Sequence, residues 1–494
     1  MIDSHLSHLI SDALGYQPTR EQLSAISTTA RFLTDRREHS VMILRGAAGT
    51  GKTTLAAAIV RTLTQLKLHI VLMAPTGRAA KVFSMYSGHK AYTIHRQIYR
   101  QKTAGDLSMF TLAPNLRSDT LFIVDEASMI ADESSNRMFG SGSLLDDLIT
   151  YVYGGTRCRL MLIGDAAQLP PVGQELSPAL SAEVLAAYGL HVVEATLSEV
   201  LRQSVLSGIL WNATMVRQML LSYERTDCTT AITMPRVRLK GFADIVCVQG
   251  DELIETLASS YSRAGMDETI VLTRSNKRAV VYNEGIRRTI LDREDELCRG
   301  DQLMVVKNNY YWMARQNAQA AAPQEKSHEE QTMPASQNDF IANGDMCVVG
   351  RVRRVRELYG FRFADVVITF PDYDDLELDA TVILDTLTTE APALTREQQE
   401  LLYNNVLADY ADIPHKADRI KKLKDDVHYN ALQVKFGYAV TCHKAQGGQW
   451  AHVYVDQGYM TDDMLTPDYF HWLYTAFTRA TERLYLVNWR SIEE

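Results

Sequence analysis

The chain has 494 residues, 46% of them hydrophobic, and 60 acidic residues against 51 basic ones, for a net charge of −9. That length predicts about three domains at roughly 150 residues each, with enough apolar content for packed cores. No run approaches the roughly 18 apolar residues of a membrane span, the start MIDSHLSHL lacks the pattern of a secretory leader, and the acidic balance excludes a grip on nucleic acid through overall charge. A cytoplasmic location is the expectation. Any nucleic acid must be held locally, by a few cations in one groove. Cys158, Cys228, Cys247, Cys298, Cys347 and Cys442 form no C-x-x-C pair, so neither a zinc site nor a disulfide framework is indicated, and they are read as small buried residues.

Along the chain, the apolar run SVMIL from Ser40 leads into GAAGTGKTT, Gly46 to Thr54, and then into the helix-forming run TTLAAAIVRTL. Strand, glycine loop and helix in that order give the pattern G-x-x-x-x-G-K-[ST] the context it requires. Gly46, Ala47, Gly49, Thr50, Gly51, Lys52, Thr53 and Thr54 are expected to surround a nucleoside triphosphate. The loop N–H groups and the helix start would face its phosphates. Lys52 would reach the β- and γ-phosphates, and the Thr53 hydroxyl would bind Mg2+.

Further apolar runs, LHIVLMAP from Leu68, TLFIVDEAS from Thr120 and RLMLIGDAAQ from Arg159, alternate with helical stretches and predict a parallel sheet with its ligand edge at the strand ends. A second set, ETIVLTRSN, YAVTCHKAQG, HVYVDQG and RLYLVNW, lacks a glycine loop and predicts a second α/β domain. Between them, DQLMVVKNNYYW, DMCVVGRVRRV and ADVVITF suit a small inserted barrel. The expected boundaries are 1–200 with a pin insertion near 97–119, then 201–302, the barrel at 303–433, and 434–494. Within the barrel, 315–339 reads as a mobile loop and 395–426 as a helical insert capped at Thr395. Arg351 and Arg353 would share one strand face, more simply solvated than nucleic-acid binding, and HKADRIKKLKDD reads as a solvated helix.

Asp125 and Glu126 end the strand TLFIV beside the glycine loop. Such a pair suits nucleotide hydrolysis: Asp125 holding magnesium through water, Glu126 orienting or deprotonating the attacking water. Gln168 follows the next strand, where a side-chain amide can sense the γ-phosphate. Arg202 in LSEVLRQS and Arg479 in LYTAFTRATERL come from outside the first sheet and would offset charge on the transferred phosphoryl group.

The ordered series GAAGTGKTT, APTGRAAKV, VDEAS, IGDAAQLPPVG, EVLRQ, YAVTCHKAQGGQW and YTAFTRA resembles the motif series of superfamily 1 helicases, in the branch of RecD and Dda, over about residues 15 to 490. The resemblance implies an α/β protein with two RecA-like P-loop NTPase domains, a small β-hairpin pin insertion and an inserted SH3-like β-barrel. It implies an ATP-dependent 5′-to-3′ DNA helicase acting on single-stranded DNA and on junctions of single- and double-stranded DNA. It also implies that Gln22 reads adenine with Tyr16 nearby, that Arg202 and Arg479 serve the γ-phosphate and that Gln168 couples the sites. Gly447 would line the nucleotide. DNA would touch Pro75, Thr76, Arg78, Thr93 and His95 in the first domain and Thr441, His443 and Lys444 in the second, with Tyr99 or Phe110 at the pin. Leu201, Ala445 and Gln449 depart from the pattern of many relatives, which bears on the adenine wall, ribose contact and coupling. The residues leave room for an RNA helicase, a protein-stripping translocase, or a RecD-like subunit of a larger recombination nuclease. Recombination or repair proteins are the expected partners of an otherwise monomeric chain.

Overall fold

Strands that are apolar without alternation are buried on both faces, and the runs above pair accordingly. The computed structural model describes residues 2–101, 110–132, 140–199, 207–225, 233–320, 340–489 and 492–493. The first sheet is built from β1 (Ser40–Gly46), β2 (His69–Ala74), β3 (Ala91–Thr93), β4 (Thr120–Val124), β5 (Arg159–Gly164) and β6 (His191–Leu197). They lie in the order β3-β2-β4-β5-β1-β6, and every ladder is parallel. Helices α1 (Ile2–Leu14) and α2 (Arg20–Thr34) place Ile10, Ala30 and Phe32 against Leu55 and Ile59 of α3 (Lys52–Gln65), in one core with Met42, Leu44 and Ile163 of the sheet. Helix α4 (Gly77–Ser87) follows β2 and is capped by the Thr76 hydroxyl.

The second sheet begins with β7 (Ile245–Val248) and β8 (Thr269–Thr273). The chain then builds β9 (Gln302–Val305), β10 (Met346–Leu358), β11 (Phe361–Phe370), β12 (Leu376–Ile383) and β13 (Leu432–Phe436), before returning as β14 (Ala439–Thr441), β15 (Trp450–Asp456), helix α5 (Pro467–Phe477) and β16 (Ala480–Val487). Its order is β7-β16-β15-β8-β14, with the ladders β7–β16, β15–β16 and β8–β15 parallel. The chain divides into two units: one holds both parallel sheets, and the other gathers residues 275–439.

In the second unit, β9 to β13 close a barrel. Burial alternates along β11, as expected of a strand with one face inward. The β12–β13 ladder is parallel, which requires a long crossover, and the helices Arg396–Ala408 and Lys416–Lys424 lie within it. Their Leu402, Val406 and Leu423 pack with Phe361, Phe363 and Ile383. The helical insert therefore has a structural reason. The expected loop at 315–339 needs correction at its start, because a helix runs Tyr311–Ala320; residues 321–339 lie outside the described ones. Register shifts break β10 between Val349 and Arg351 and between Val352 and Arg354, and both Arg351 and Arg353 are exposed. Arg353 pairs with Asp379 at 2.8 Å and Arg356 with Asp365 at 2.8 Å.

Three cysteines, Cys158, Cys347 and Cys442, are buried, but Cys247 and Cys298 are only half-buried and Cys228 lies outside the described residues. Among the described residues no cluster of three or more His, Cys, Asp or Glu side chains is arranged to hold a metal ion, and no helix is long and apolar enough to cross a membrane.

Candidate nucleotide site and strand-binding edge

Between β1 and α3 the chain must turn tightly without side chains in its way. Gly49 and Gly51 take φ of 75° and 82°, the left-handed region that glycine enters without steric cost. A Cβ on Gly46 would sit 2.5 Å from Lys52 Cγ and 2.9 Å from Thr50 Oγ1, so a side chain there would displace the lysine. Lys52 Nζ donates to the carbonyls of Gly46 (2.5 Å) and Ala47 (3.1 Å) and lies 3.8 Å from Asp165 Oδ2. The loop thus presents a cation, backbone donors and a helix start at one mouth, as phosphate binding requires.

At the end of β4, Asp125 accepts from the Glu126 N–H at 2.9 Å, and Glu126 itself takes φ 53°. A non-glycine residue in that region is strained, and such strain gathers at working sites. Burial, then the neighbouring Glu126 charge, pushes the Asp125 carboxyl up to about 7. Two crowded carboxylates favour a cation between them and the phosphates. Asp125 and the Thr53 hydroxyl are the oxygen donors that fit Mg2+, which takes one or two protein ligands and completes its shell with water and phosphate.

A cleft of about 400 Å³ joins this edge to the second sheet. Lys52, Thr53, Asp125, Glu126 and Gln168 line it from one side, Gly447, Gln449 and Arg479 from the other. The Gln168 Oε1 atom is buried without a hydrogen-bond partner there. Arg479 is 2% exposed, donates to the carbonyls of Thr475 (3.2 Å) and Gly448 (3.1 Å), and holds Nη1 at 4.0 Å from Glu126 Oε1. Arg202 and Leu201 lie outside the described residues.

Gln22 is corrected. It is fully buried, its Oε1 accepts from the Thr19 N–H in a capping box, and its Nε2 donates to Tyr16 Oη (3.1 Å) and Thr50 O (3.2 Å). The amide ties the start of α2 to the phosphate loop, and a fully buried amide offers adenine no edge.

Along the edge expected to meet DNA, the structure divides the residues. Pro75 and Thr76 are half-buried, with the Thr76 hydroxyl accepting from the Ala79 N–H at 3.2 Å. Thr441 and Lys444 are half-buried and His443 is exposed. Three assignments need correction. Arg78 donates to the Gln449 carbonyl at 2.7 Å and stacks 4.2 Å over Trp450, so it joins the two sheets. Thr93 is 7% exposed and caps the next helix through the Arg96 N–H at 3.3 Å. Tyr99 is 7% exposed and donates to Asp147 Oδ2 at 2.6 Å, which leaves its ring inside rather than at a junction. It belongs to a two-stranded ribbon, Tyr99–Gln101 with Phe110–Leu112; the Phe110 side chain lies outside the described set.

His95 keeps some surface, yet desolvation of its imidazole lowers its pKa to about 4, partly opposed by Asp147. Its folded value lies below the ordinary 6.5, so the unfolded chain binds more protons between those limits and stability falls as pH drops from 6.5 towards 4. In His95→Gln the thermal midpoint should lose less over that interval than in the wild type; parallel slopes would exclude His95 as a source.

Sequence reading missed a second set of residues joining the sheets. Tyr474 of α5 donates to Asp165 Oδ2 (2.5 Å) and accepts from the Ala48 N–H (2.8 Å). Thr475 Oγ1 accepts from the Leu169 N–H (2.8 Å), and Gln446 Nε2 donates to the Leu169 carbonyl (2.6 Å). All lie inside the motifs GAAGTGKTT, IGDAAQLPPVG, HKAQGGQW and YTAFTRA, but nothing local marks them.

A loop shaped for phosphates, closed from a second parallel sheet by an arginine, places the chain among the P-loop nucleotide hydrolases that work with paired α/β domains. Comparison with known proteins narrows the class. A family profile described as an AAA domain matches residues 18–220, and one described as a UvrD-like helicase C-terminal domain matches residues 436–487. The ATP-dependent RecD2 DNA helicase of Deinococcus radiodurans is 32% identical over 155 residues, 31% of this chain and 19% of that protein. The ATP-dependent DNA helicase Dda of Enterobacteria phage T4 is 25% identical over 293 residues, 58% of this chain and 60% of that one. An uncharacterized protein of Acanthamoeba polyphaga mimivirus is 23% identical over 94% of this chain and 98% of its own length. Among solved structures, a Pif1 helicase studied at forked double-stranded DNA is 14% identical over 97% of this chain and 93% of that chain, at a TM-score of 0.46. By these matches the chain is similar to superfamily 1 helicases, in the branch of RecD and Dda. It spans less than two thirds of both named helicase relatives.

Proposed function

We propose that the chain is an ATP- and Mg2+-dependent helicase that moves 5′ to 3′ along single-stranded DNA and opens duplex ahead of it, as a monomer. One observation carries this reading: Arg479, held by the second sheet, stands 4.0 Å from Glu126 at the phosphate edge of the first. A nucleotide bound at Lys52 then touches both domains, so its binding and loss change how they meet.

Lys52 and the loop N–H groups hold the phosphates; Thr53 and Asp125 hold magnesium, which supplies charge neutralisation when bound. Glu126 positions the attacking water and accepts its proton. Arg479 offsets charge on the γ-phosphate oxygens, with Arg202 assigned a second such role from its motif. Gln168, whose carbonyl oxygen is buried without a partner, monitors the γ-phosphate. Pro75, Thr76, His95, Thr441, His443 and Lys444 form the strand track, where hydroxyls, imidazoles and a cation fix phosphates without reading bases. The strand pair Tyr99–Gln101 and Phe110–Leu112 belongs to the pin, and the barrel serves as an SH3-like module. Recombination or repair is the setting such a motor fits.

Unwinding should require a 5′ single-stranded tail, with at least tenfold less product from 3′-tailed or blunt DNA in a strand-displacement assay. Efficient opening of 3′-tailed duplex would overturn the polarity. ATPase stimulation by single-stranded RNA equal to that by DNA would point to the RNA-acting reading instead.

A further inference from the structure

Tyr474 joins three parts of the molecule that the hydrolysis site does not obviously need to join. Its hydroxyl is 1% exposed with its ring and lies against the phosphate loop itself. Asp165 is buried, its Oδ1 already accepts from the Ala167 N–H at 3.1 Å, and Lys52 stands 3.8 Å from its Oδ2. A carboxylate only accepts, so the Tyr474 proton is directed to Asp165 and the hydroxyl oxygen presents its lone pairs to the Ala48 N–H. The result is a closed series, Lys52 ammonium, Asp165 carboxylate, Tyr474 hydroxyl and Ala48 N–H, drawn around the mouth of the loop.

Ala48 is one of the loop residues whose N–H groups serve phosphate oxygens in proteins with this loop. Here that donor meets a hydroxyl oxygen, an acceptor of the same kind, delivered from the other sheet. Tyr474 also sits in the last turn of α5 (Pro467–Phe477), two residues beyond which Arg479 begins its hold on Thr475 and Gly448. A shift of the Tyr474 hydroxyl therefore moves the segment carrying the arginine, and the neighbouring bond from Leu169 N–H to Thr475 shifts with it.

We propose that the Tyr474 hydroxyl is a placeholder for a phosphate oxygen of ATP at the Ala48 N–H, and thereby a positioning residue that reports occupancy of the phosphate loop to the helix end bearing Arg479. The inference rests on the ATP-driven reading above. When the triphosphate arrives, Ala48 N–H and Lys52 turn to its oxygens, Tyr474 keeps only Asp165, and the Tyr474-to-Arg479 segment is released to close on the γ-phosphate. When phosphate leaves, the hydroxyl returns to Ala48.

Competition of this kind has a signature that a structural role lacks. Tyr474→Phe keeps the ring and removes the competitor, so affinity for a non-hydrolysable ATP analogue should rise, by about three- to tenfold for one hydrogen bond. Base pairs opened per ATP hydrolysed should fall at least twofold, because hydrolysis is no longer reported. Thr475→Ala removes a different bond between the same sheets and should not raise affinity. Site-specific 3-fluorotyrosine at position 474 preserves the shape and weakens the oxygen as an acceptor; its affinity should lie between wild type and Tyr474→Phe. Unchanged or weaker binding by Tyr474→Phe and the fluorotyrosine protein would overturn the proposal, as would an equal gain in Thr475→Ala. Lys52→Ala separates the two levels: full ATPase in that variant removes the ATP-driven reading itself, whereas a dead Lys52→Ala beside wild-type behaviour at position 474 removes only the placeholder.

Discussion

Lys52→Ala is expected to lower DNA-stimulated ATP turnover by about 10²- to 10³-fold, the scale for losing one preorganised charged donor at a developing anion, and to abolish strand displacement. The geometry explains why so little else should change. Among the described residues Lys52 Nζ donates to two loop carbonyls and lies 3.8 Å from Asp165. Removing it leaves two carbonyl oxygens and a carboxylate facing the incoming triphosphate, all of the wrong sign. The fold has other anchors: Asp165 keeps its bonds from Tyr474 and Ala167, and Gly49 and Gly51 keep their turn. Phosphate release and thermal melting, measured together, check this. Turnover near wild type would remove the assignment of the loop to ATP, and with it the helicase reading.

How much of this was legible in the sequence depends on the range of the contact. The loop at Gly46 could be read because its constraint is local: a Cβ at Gly46 collides with Lys52 six residues on. The barrel could be read because β11 alternates in burial over Phe361–Phe370. Arg78 and Tyr474 could not, because their partners lie 371 and 426 residues away and no periodicity encodes such a meeting. Gln22 failed for a different reason. Thr19 and Gln22 carry the T-x-x-Q spacing of a capping box, and the reading by resemblance to adenine recognition overlooked that local bond. Thr93 repeats the lesson, since its hydroxyl precedes a helix whose N–H groups need it. Tyr99 was misplaced because an aromatic in a short ribbon reads the same whether it faces solvent or Asp147.

Arg479→Ala should reduce turnover by about 10³-fold or more, the range for an arginine supplied across a cleft to a transferring phosphoryl group, while ATP affinity changes far less. The guanidinium has five N–H donors. Bonds to Thr475 and Gly448 carbonyls and to the Thr478 hydroxyl (3.3 Å) fix its plane from behind. Its remaining capacity faces the cleft, within 4.0 Å of Glu126. Glu126 and Arg479 thereby hold each other where water and the γ-phosphate must meet. Arg479→Lys should recover little of the loss, because a point charge on a flexible stem cannot make both carbonyl bonds and still present a planar donor pair forward. Single-turnover hydrolysis separates chemistry from binding, with analogue affinity measured alongside. If Arg479→Lys restored more than about a tenth of the rate, charge alone would suffice and the planar geometry would not be what the reaction uses. If Arg479→Ala instead lost analogue binding and kept its single-turnover rate, the arginine would belong to nucleotide capture, and Arg202 would have to supply the charge that phosphoryl transfer requires.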